Sequence, residues 1–352
     1  MNTDFDVRYE IRLAQITEID SIMRYIGEFW HKGHIMSVDK ELFTYEFVNN
    51  NDVNFLIAID KSSGAIEAVL GFLNCSNPNN EVNAKRKDLW GSFWKVNDTH
   101  PNMPLLGIEM ARRVFPLTGC RMLIGNGANP ETSVPLRRLY FRDKTVRLKH
   151  YYCLRSDKSE FSIAVINQVQ HVPESIDPET YITHLKSIDE VNQVFCFDKL
   201  DLLPYKDAWY TEKRYFRYPY YKYYVFGAYR TSNQIGALII MRIAEANGAR
   251  ALRIVDYIGN HLLFTGLYKA IQTLLQEENC EYADFITHGF NERLILSAGF
   301  ILRTESDNNI IPNYFEPFIQ KNVDIWAHYS TEGTAFFKAD GDQDRPNIFR
   351  NR

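Results

Sequence analysis

Closely spaced cysteine pairs are missing from this sequence. Its five cysteines, Cys75, Cys120, Cys153, Cys196 and Cys280, are odd in number and widely scattered, which argues against a disulfide framework and against a structural zinc site. Reduced, mostly buried thiols are the expected state, and no metal is expected. Missing too is any apolar run long enough to span a bilayer, and the opening MNTDFDVRYE has none of the basic-then-apolar layout of a signal peptide. The expected location is therefore the cytoplasm. Charge of one sign is not in excess: 40 Lys and Arg against 44 Asp and Glu give a formal net charge of −4, with no overall pull toward nucleic acid. Walker A, G-x-S-x-G, H-E-x-x-H and strand-following G-x-G-x-x-G motifs are all absent. Nucleotide hydrolysis, serine esterase, zinc protease and Rossmann readings lose their support.

What the chain does have is length, aromatics and a repeated order of elements. At 352 residues it is long enough for two domains. A strand is expected at Tyr9 to Ala14, helices at Glu18 to Trp30 and near Lys40 to Val48, and strands at Asn54 to Asp60, Ile66 to Asn74 and Leu89 to Asn97. A helix beginning around Leu105 to Val114 has Pro104 just before it; Arg121 to Asn126, Ser133 to Tyr140 and Val146 to Leu154 read as strand, helix and closing strand. His171 to Pro178, with two prolines and mixed charge, reads as a linker. A second pass follows: Pro178 to Leu185 and Tyr205 to Phe216 read as helices, and Tyr223 to Tyr229 and Ile235 to Ile243 as strands joined by the turn Thr231-Ser232-Asn233-Gln234. The stretch Ala251 to Phe300 then shows strand, loop, helix, strand and helix without a break. Phe264, Leu267, Ile271, Leu274 and Leu275 form its helical stripe, with Lys269, Gln272 and Gln276 facing out. Gly299 stops the last helix.

Strand, loop, helix, strand and a helix ending in Gly299-Phe300 resembles the acyl-CoA-binding half of the GNAT N-acyltransferases. Gly266-Leu267 stands where that family ends its Q/R-x-x-G-x-G/A loop, and Asn291 with Ala298-Gly299-Phe300 matches part of its following helix. The loop itself, His261 to Gly266, carries bulky side chains where the family has glycine. In the first half Gly107-Ile108 offers the better loop-to-helix match, so both copies are candidates. A loop opening into a helix start presents free N–H groups and the positive end of the helix dipole to a pyrophosphate. The resemblance implies an α/β (α+β) protein of two tandem GNAT-like domains, 1–168 and 169–352 with a C-terminal tail, each a mixed central sheet flanked by helices. It implies coenzyme A as acyl carrier, held at Gly107, Ile108, Gly266 and Leu267.

RIVDYIG, FFKADGDQDRPN and an aromatic-basic segment from Tyr205 to Tyr224 narrow the resemblance to the sugar N-acyltransferases of O-antigen and lipopolysaccharide biosynthesis. That resemblance implies direct attack of a sugar amine on bound acyl-CoA. The expected transfer moves 3-hydroxybutyryl from CoA to dTDP-3-amino-3,6-dideoxy-D-galactose, a nucleotide-linked amino sugar, with no nucleic acid and no membrane span involved. Aromatic faces with interleaved cations suit a base, a sugar and a diphosphate. Tyr220, Tyr221, Tyr223, Arg217, Asp340, Asp342 and Arg345 are the candidate substrate contacts; a domain interface and a solvated tail are the bland readings of the same residues. Strand periodicity places Tyr282, Asp284, Ile286 and His288 on one face, so that Asp256, Asp284 and His288 are expected to meet where two strands splay. His288 is the candidate base with an acidic partner; turn-capping is its alternative role. Two other function classes stay open: an aminoacyl-tRNA-dependent peptidyl transferase, and a nucleotide-sugar-binding protein without turnover. The residues leave the oligomeric state open.

Overall fold

The computed structural model describes residues 3–169, 177–230, 234–306 and 308–347. Most of the expected linker at 171–178, and the expected turn at 231–234 save its last residue, lie outside them. The chain forms two compact units: residues up to Thr145 with Trp326–Thr331 and the stretch from Arg345 onward, and Val146–Ile325 with Glu332–Asp344. Each holds a mixed sheet flanked by helices.

In unit 1 the elements are α1 (Thr3–Arg8), β1 (Tyr9–Ala14), α2 (Ile19–Tyr25), α3 (Ile35–Val38), α4 (Lys40–Phe47), β2 (Val48–Asn49), β3 (Asp52–Asp60) and β4 (Ile66–Asn74). They continue with β5 (Asp88–Val96), α5 (Leu106–Thr118), β6 (Met122–Asn126), α6 (Ser133–Phe141) and β7 (Lys144–Arg147). A short π-turn, Ile26–Trp30, extends α2, so the expected helix to Trp30 is present with a changed last turn. The β3–β4 hairpin turns where Asp60 accepts from the Ser62 and Ser63 N–H groups and Gly64 takes a φ of 72°, a conformation glycine adopts without strain. Alternation sends Leu56, Ala58, Leu70 and Phe72 to the face covered by Leu106, Met110 and Val114 of α5. The opposite face is aromatic, with Phe43 and Phe47 of α4 packed on Phe55, and Phe93 beside them. The sheet order is β1-β3-β4-β5-β6, completed beyond β6 by β17 (Trp326–Tyr329) and then β7.

Unit 2 contains β8 (Lys149–Leu154), β9 (Tyr181–Leu185), α7 (Ile188–Val194), α8 (Ala208–Thr211), β10 (Tyr224–Tyr229), β11 (Ala237–Ala246), β12 (Ala249–Gly259), α9 (Tyr268–Glu277), β13 (Cys280–His288) and α10 (Glu292–Ser297). Short strands β14 (Ile301–Leu302), β15 (Tyr314–Phe315), β16 (Phe318–Ile319) and β18 (Phe336–Phe337) complete it. The sheet order is β14-β8-β13-β12-β11-β10-β9, with β18 added to β13. Ile271 and Leu275 of α9 and Ile295 of α10 cover Ile239, Leu252, Ile254 and Phe285.

Three expectations change. Val146 to Leu154 is two strands: β7 stays with the first sheet, whereas β8 pairs with β13 from Tyr282↔Leu154 to Thr287↔Lys149. The two compact units accordingly divide between Thr145 and Val146, and the tail returns β17 to the first sheet. Tyr181–Leu185, expected as a helix, is strand β9 paired along Tyr181↔Tyr229 to Leu185↔Val225, because its β-branched Ile182 and Thr183 lie against an open sheet edge. Gln272 does not face out; it is buried, accepting from the Ser156 N–H and donating to the Leu154 carbonyl.

Candidate functional site

In unit 1, β5 and β6 run parallel from Asp88↔Met122 to Gly91↔Gly125 and then part, β5 continuing to Val96. At the parting point β5 bulges: Leu70 faces Trp94 and Phe72 faces Gly91, so Ser92 and Phe93 together oppose Gly71. Among the described residues no strand pairs with β5 beyond Gly91 on its β6 side. The chain then turns through Asn97 to Leu105 into α5. Leu105 takes φ 65° ahead of the first turn, and no side chain caps the helix start. The Trp94 indole N–H donates to the Gly107 carbonyl at 2.8 Å, fixing the first turn against β5.

Unit 2 repeats this plan and closes it. β12 and β13 are parallel through Arg253↔Asp284 and then part, and β12 carries its own bulge, with Ile240 facing Asp256 and Met241 facing Ile254. Here the gap is filled. β18 pairs with β13 at Thr287↔Phe337 and His288↔Phe336, and the Lys338 N–H donates to the Ile286 carbonyl at 2.7 Å. Since β8 already holds the far edge of β13, β18 lies on the β12 side. The helix start is covered as well. The Thr180 N–H donates to the Gly266 carbonyl, and a Cβ on Gly266 would lie 2.1 Å from the Pro178 carbonyl oxygen. Arg230 donates to the Leu262 carbonyl and to the Thr265 hydroxyl. What remains is a small cleft lined by Arg253, Val255, Ile286, Lys338, Gln343 and Asp344, among others.

No family model matches the sequence, and no curated protein matches it. Solved structures do match in shape. An Enterococcus faecalis protein described as a "Probable N-Acyltransferase" superposes with a TM-score of 0.55 over 91% of this chain and 71% of its own, at 9% identity. A GCN5-related N-acetyltransferase from Anabaena variabilis gives a TM-score of 0.52 over 91% and 72%, at 11% identity. The fold is that of the GCN5-related N-acyltransferases. Both units contain the splayed strands and bulge, and they differ in what occupies the splay.

The residues expected to form one GNAT catalytic cluster in unit 2 are parted into separate networks. Asp256 is fully buried, 2.7 Å from the Lys206 ammonium and 2.7 Å from the Tyr215 hydroxyl. Lys206 also reaches Asp340 at 2.6 Å, and Tyr210 donates to the same carboxylate. Burial and the charge of Asp256 push Asp340 up to about 6. Asp284, also fully buried, bonds Arg253 at 2.8 and 2.9 Å and His150 at 2.8 Å. Burial opposes its charge, yet Arg253 and His150 outweigh it and hold Asp284 below the usual range. His288 is half-buried beside Phe336, its basicity lowered by burial and by Lys149.

The expected substrate contacts are also divided. Tyr223 donates to Asp344, which Arg242 grips with two nitrogens at 2.7 to 3.0 Å. Arg345 belongs to unit 1, buried and 2.6 Å from Glu46. Tyr221 lies under the Arg242 guanidinium at 4.3 Å; Tyr220 and Asp342 are half-buried, and Arg217 is exposed. Sequence reading singled out none of Arg242, Arg253 and Lys338, and took Lys206 only as one of the cations interleaved with the aromatic cluster. The signal was present for two of them: Arg242 in LIIMRIA and Arg253 in ALRIVDY are cations inside apolar strand runs, which must be paired when buried.

Proposed function

We propose that this chain is an acyl-CoA-dependent N-acyltransferase whose donor site is the β5–α5 turn of unit 1. The observation that carries the reading is the contrast between two equivalent turns: among the described residues no strand enters the splay beside the first, whereas the second is covered by the chain itself. At the first turn, Gly107 and Ile108 present the first N–H groups of the 13-residue α5, and these with the helix dipole suit the CoA pyrophosphate. The pantetheine arm would enter where β5 and β6 part beyond Gly91, and backbone N–H groups there would polarise the thioester carbonyl. An acceptor amine then attacks that carbon, the carbon–sulfur bond breaks, and amide and free CoA thiol leave; the amine's proton passes to a base or to water. In this reading Gly266 and Leu267 are packing residues, and Asp256 and Asp284 hold buried cations.

The acceptor in this proposal is the amine of a nucleotide-linked amino sugar, with dTDP-3-amino-3,6-dideoxy-D-galactose and a 3-hydroxybutyryl donor as the first pair to assay for an O-antigen role. Its support is the resemblance of RIVDYIG and FFKADGDQDRPN, together with the accessible part of the aromatic-basic segment. Arg217 and Lys222 are exposed there, and the Lys222 ammonium stands 5.0 Å over the Tyr224 ring. The test is thermal stabilisation by CoA, followed by thiol release with acyl-CoA and a panel of amino-sugar nucleotides, since a ligand preferring the folded state raises the melting temperature. Stabilisation by CoA and acceptor-dependent thiol release are expected. An unmoved melting temperature at saturating CoA overturns the reading and turns attention to tRNA-dependent transfer or binding without turnover.

A further inference from the structure

The turn proposed to hold CoA is polar and half-exposed, and a turn of that kind keeps one shape only where something buried holds it. In unit 1 that anchor is a single carboxylate. Glu67 of β4 is 4% exposed, and among the described residues its side chain bonds the segment between β5 and α5. One oxygen bonds His100 Nδ1 at 3.2 Å; the other accepts from Asn97 Nδ2 at 3.0 Å and from Asn102 Nδ2 at 3.2 Å. Its backbone carbonyl takes the Asn97 N–H at 2.8 Å. The three side chains then organise the rest of the turn. Asn97 Oδ1 accepts from the N–H and hydroxyl of Thr99, and Asn102 donates back to the Asn97 carbonyl. Asn102 Oδ1 accepts from the Tyr9 hydroxyl, which itself accepts from the Met103 N–H. Two residues further on, Leu105 opens α5.

We propose that Glu67 is the positioning residue for the phosphates of acyl-CoA: by gripping His100, Asn97 and Asn102 it holds the turn that aims the α5 start at them. The inference rests on the donor-site reading of unit 1. Asn97 Nδ2, Asn102 Nδ2 and the His100 ring converge on two acceptor oxygens, so an amide in place of the carboxylate removes the charge and leaves one acceptor where there were two. The His100 side chain, in the same turn, is 60% exposed. A residue serving only the stability of unit 1 has a ready comparison in Asp88, a buried carboxylate of β5 bonded twice to Arg121.

The experiment compares Glu67→Gln with Asp88→Asn by isothermal titration with CoA and with pantetheine, which lacks the phosphates. Glu67→Gln is expected to weaken CoA about tenfold and leave pantetheine within twofold, while Asp88→Asn lowers the melting temperature without moving the CoA affinity. Equal CoA affinity in the two variants overturns the proposal, as does a parallel loss of CoA and pantetheine binding. Should Glu67→Gln fail to fold, His100→Ala and Asn102→Ala carry the same comparison: a selective loss for CoA supports it and unchanged CoA affinity sinks it. Wild-type protein that binds no CoA removes the donor-site reading itself, a separate result from wild-type binding that Glu67→Gln leaves intact.

Discussion

Unit 1 and unit 2 run the same path of bulged strand, turn, helix and parallel strand, and they finish it in opposite ways. In unit 1, among the described residues, no further strand enters where β5 and β6 part, and the helix start has no side-chain cap. In unit 2 the parted strands take in β18, and the residues before α9 are bonded from Thr180 and Arg230. The difference teaches that retaining a fold and retaining its binding surface are separate matters. Unit 2 also buries Lys206, Arg214, Arg242, Arg253 and Lys338 among Asp256, Asp284, Asp340 and Asp344. Such paired charge inside a sheet is costly to desolvate and expensive to disrupt, but it is not of itself a site.

Substitutions can break the comparison at its strongest point first. An aspartate at the second position of each helix, Gly107→Asp in α5 and Lys269→Asp in α9, puts the same charge in the same place of two equivalent turns. Gly107→Asp should weaken CoA by about a hundredfold or more, roughly 3 kcal/mol, and Lys269→Asp should leave it unchanged; titration calorimetry reads both. The reverse ranking would move the donor site to unit 2.

Next in size is the buried ion pair of unit 2. Arg253→Ala leaves the buried Asp284 with His150 alone and is expected to cost about 3–5 kcal/mol, read from the urea midpoint. A large fall in turnover at unchanged stability would instead return Asp284 to catalysis.

Acid should loosen unit 1 through His328. Its ring lies over Gly125, where a Cβ would come within 1.9 Å; it bonds Asp143, which Arg137 also grips. Burial, with Arg137 nearby, lowers it to about 4. The unfolded imidazole, titrating near the usual value of about 6.5, binds its proton first. Stability is then complete above about pH 6.5 and declines as pH falls toward 4, by up to about 3 kcal/mol. Urea midpoints across that range should show the slope, and His328→Gln should flatten it.

Lys338 gives a test of the same sign in unit 2, at higher pH. Burial and then Arg253 bring its ammonium down to about 7, below its unfolded value, so stability should rise with pH from about 7 to 10. Lys338→Met should stabilise the protein by about 2 kcal/mol at pH 7, because the Asn313 carbonyl it leaves still accepts from Arg253. A destabilised variant would assign the ammonium a bonding role. The smallest effect is expected at His288: His288→Ala should hold kcat within about twofold, whereas a fall of about 10²-fold or more would mark it as the base.

Much of the fold was legible because its signals are local. Alternation located β3, β4, β11 and β12, the stripe of Ile271 and Leu275 located α9, and Asn291 capping the Arg293 N–H marks the start of α10. Segments whose state depends on a distant partner were not. Tyr181–Leu185 is a strand only because β10 offers an edge, and Lys149–Leu154 leaves the first half only because β13 accepts it. The site followed the same division. Gly107 was visible as a helix opening, while Glu67 carries no motif, since its bonds to Asn97, His100 and Asn102 span 30 to 35 residues.

The sequence by itself determined two runs of the same strand and helix order, an amphipathic α9, thiols without spacing for a metal, and a turn into α5 bearing Gly107. The tertiary structure alone decided which of the two splays takes in a further strand. Occupation of a splay depends on where a remote segment finds hydrogen-bond partners, and Phe336 to Lys338 find theirs on β13, about fifty residues away in the chain. No local pattern encodes such a pairing, because its free energy exists only after both strands are in place.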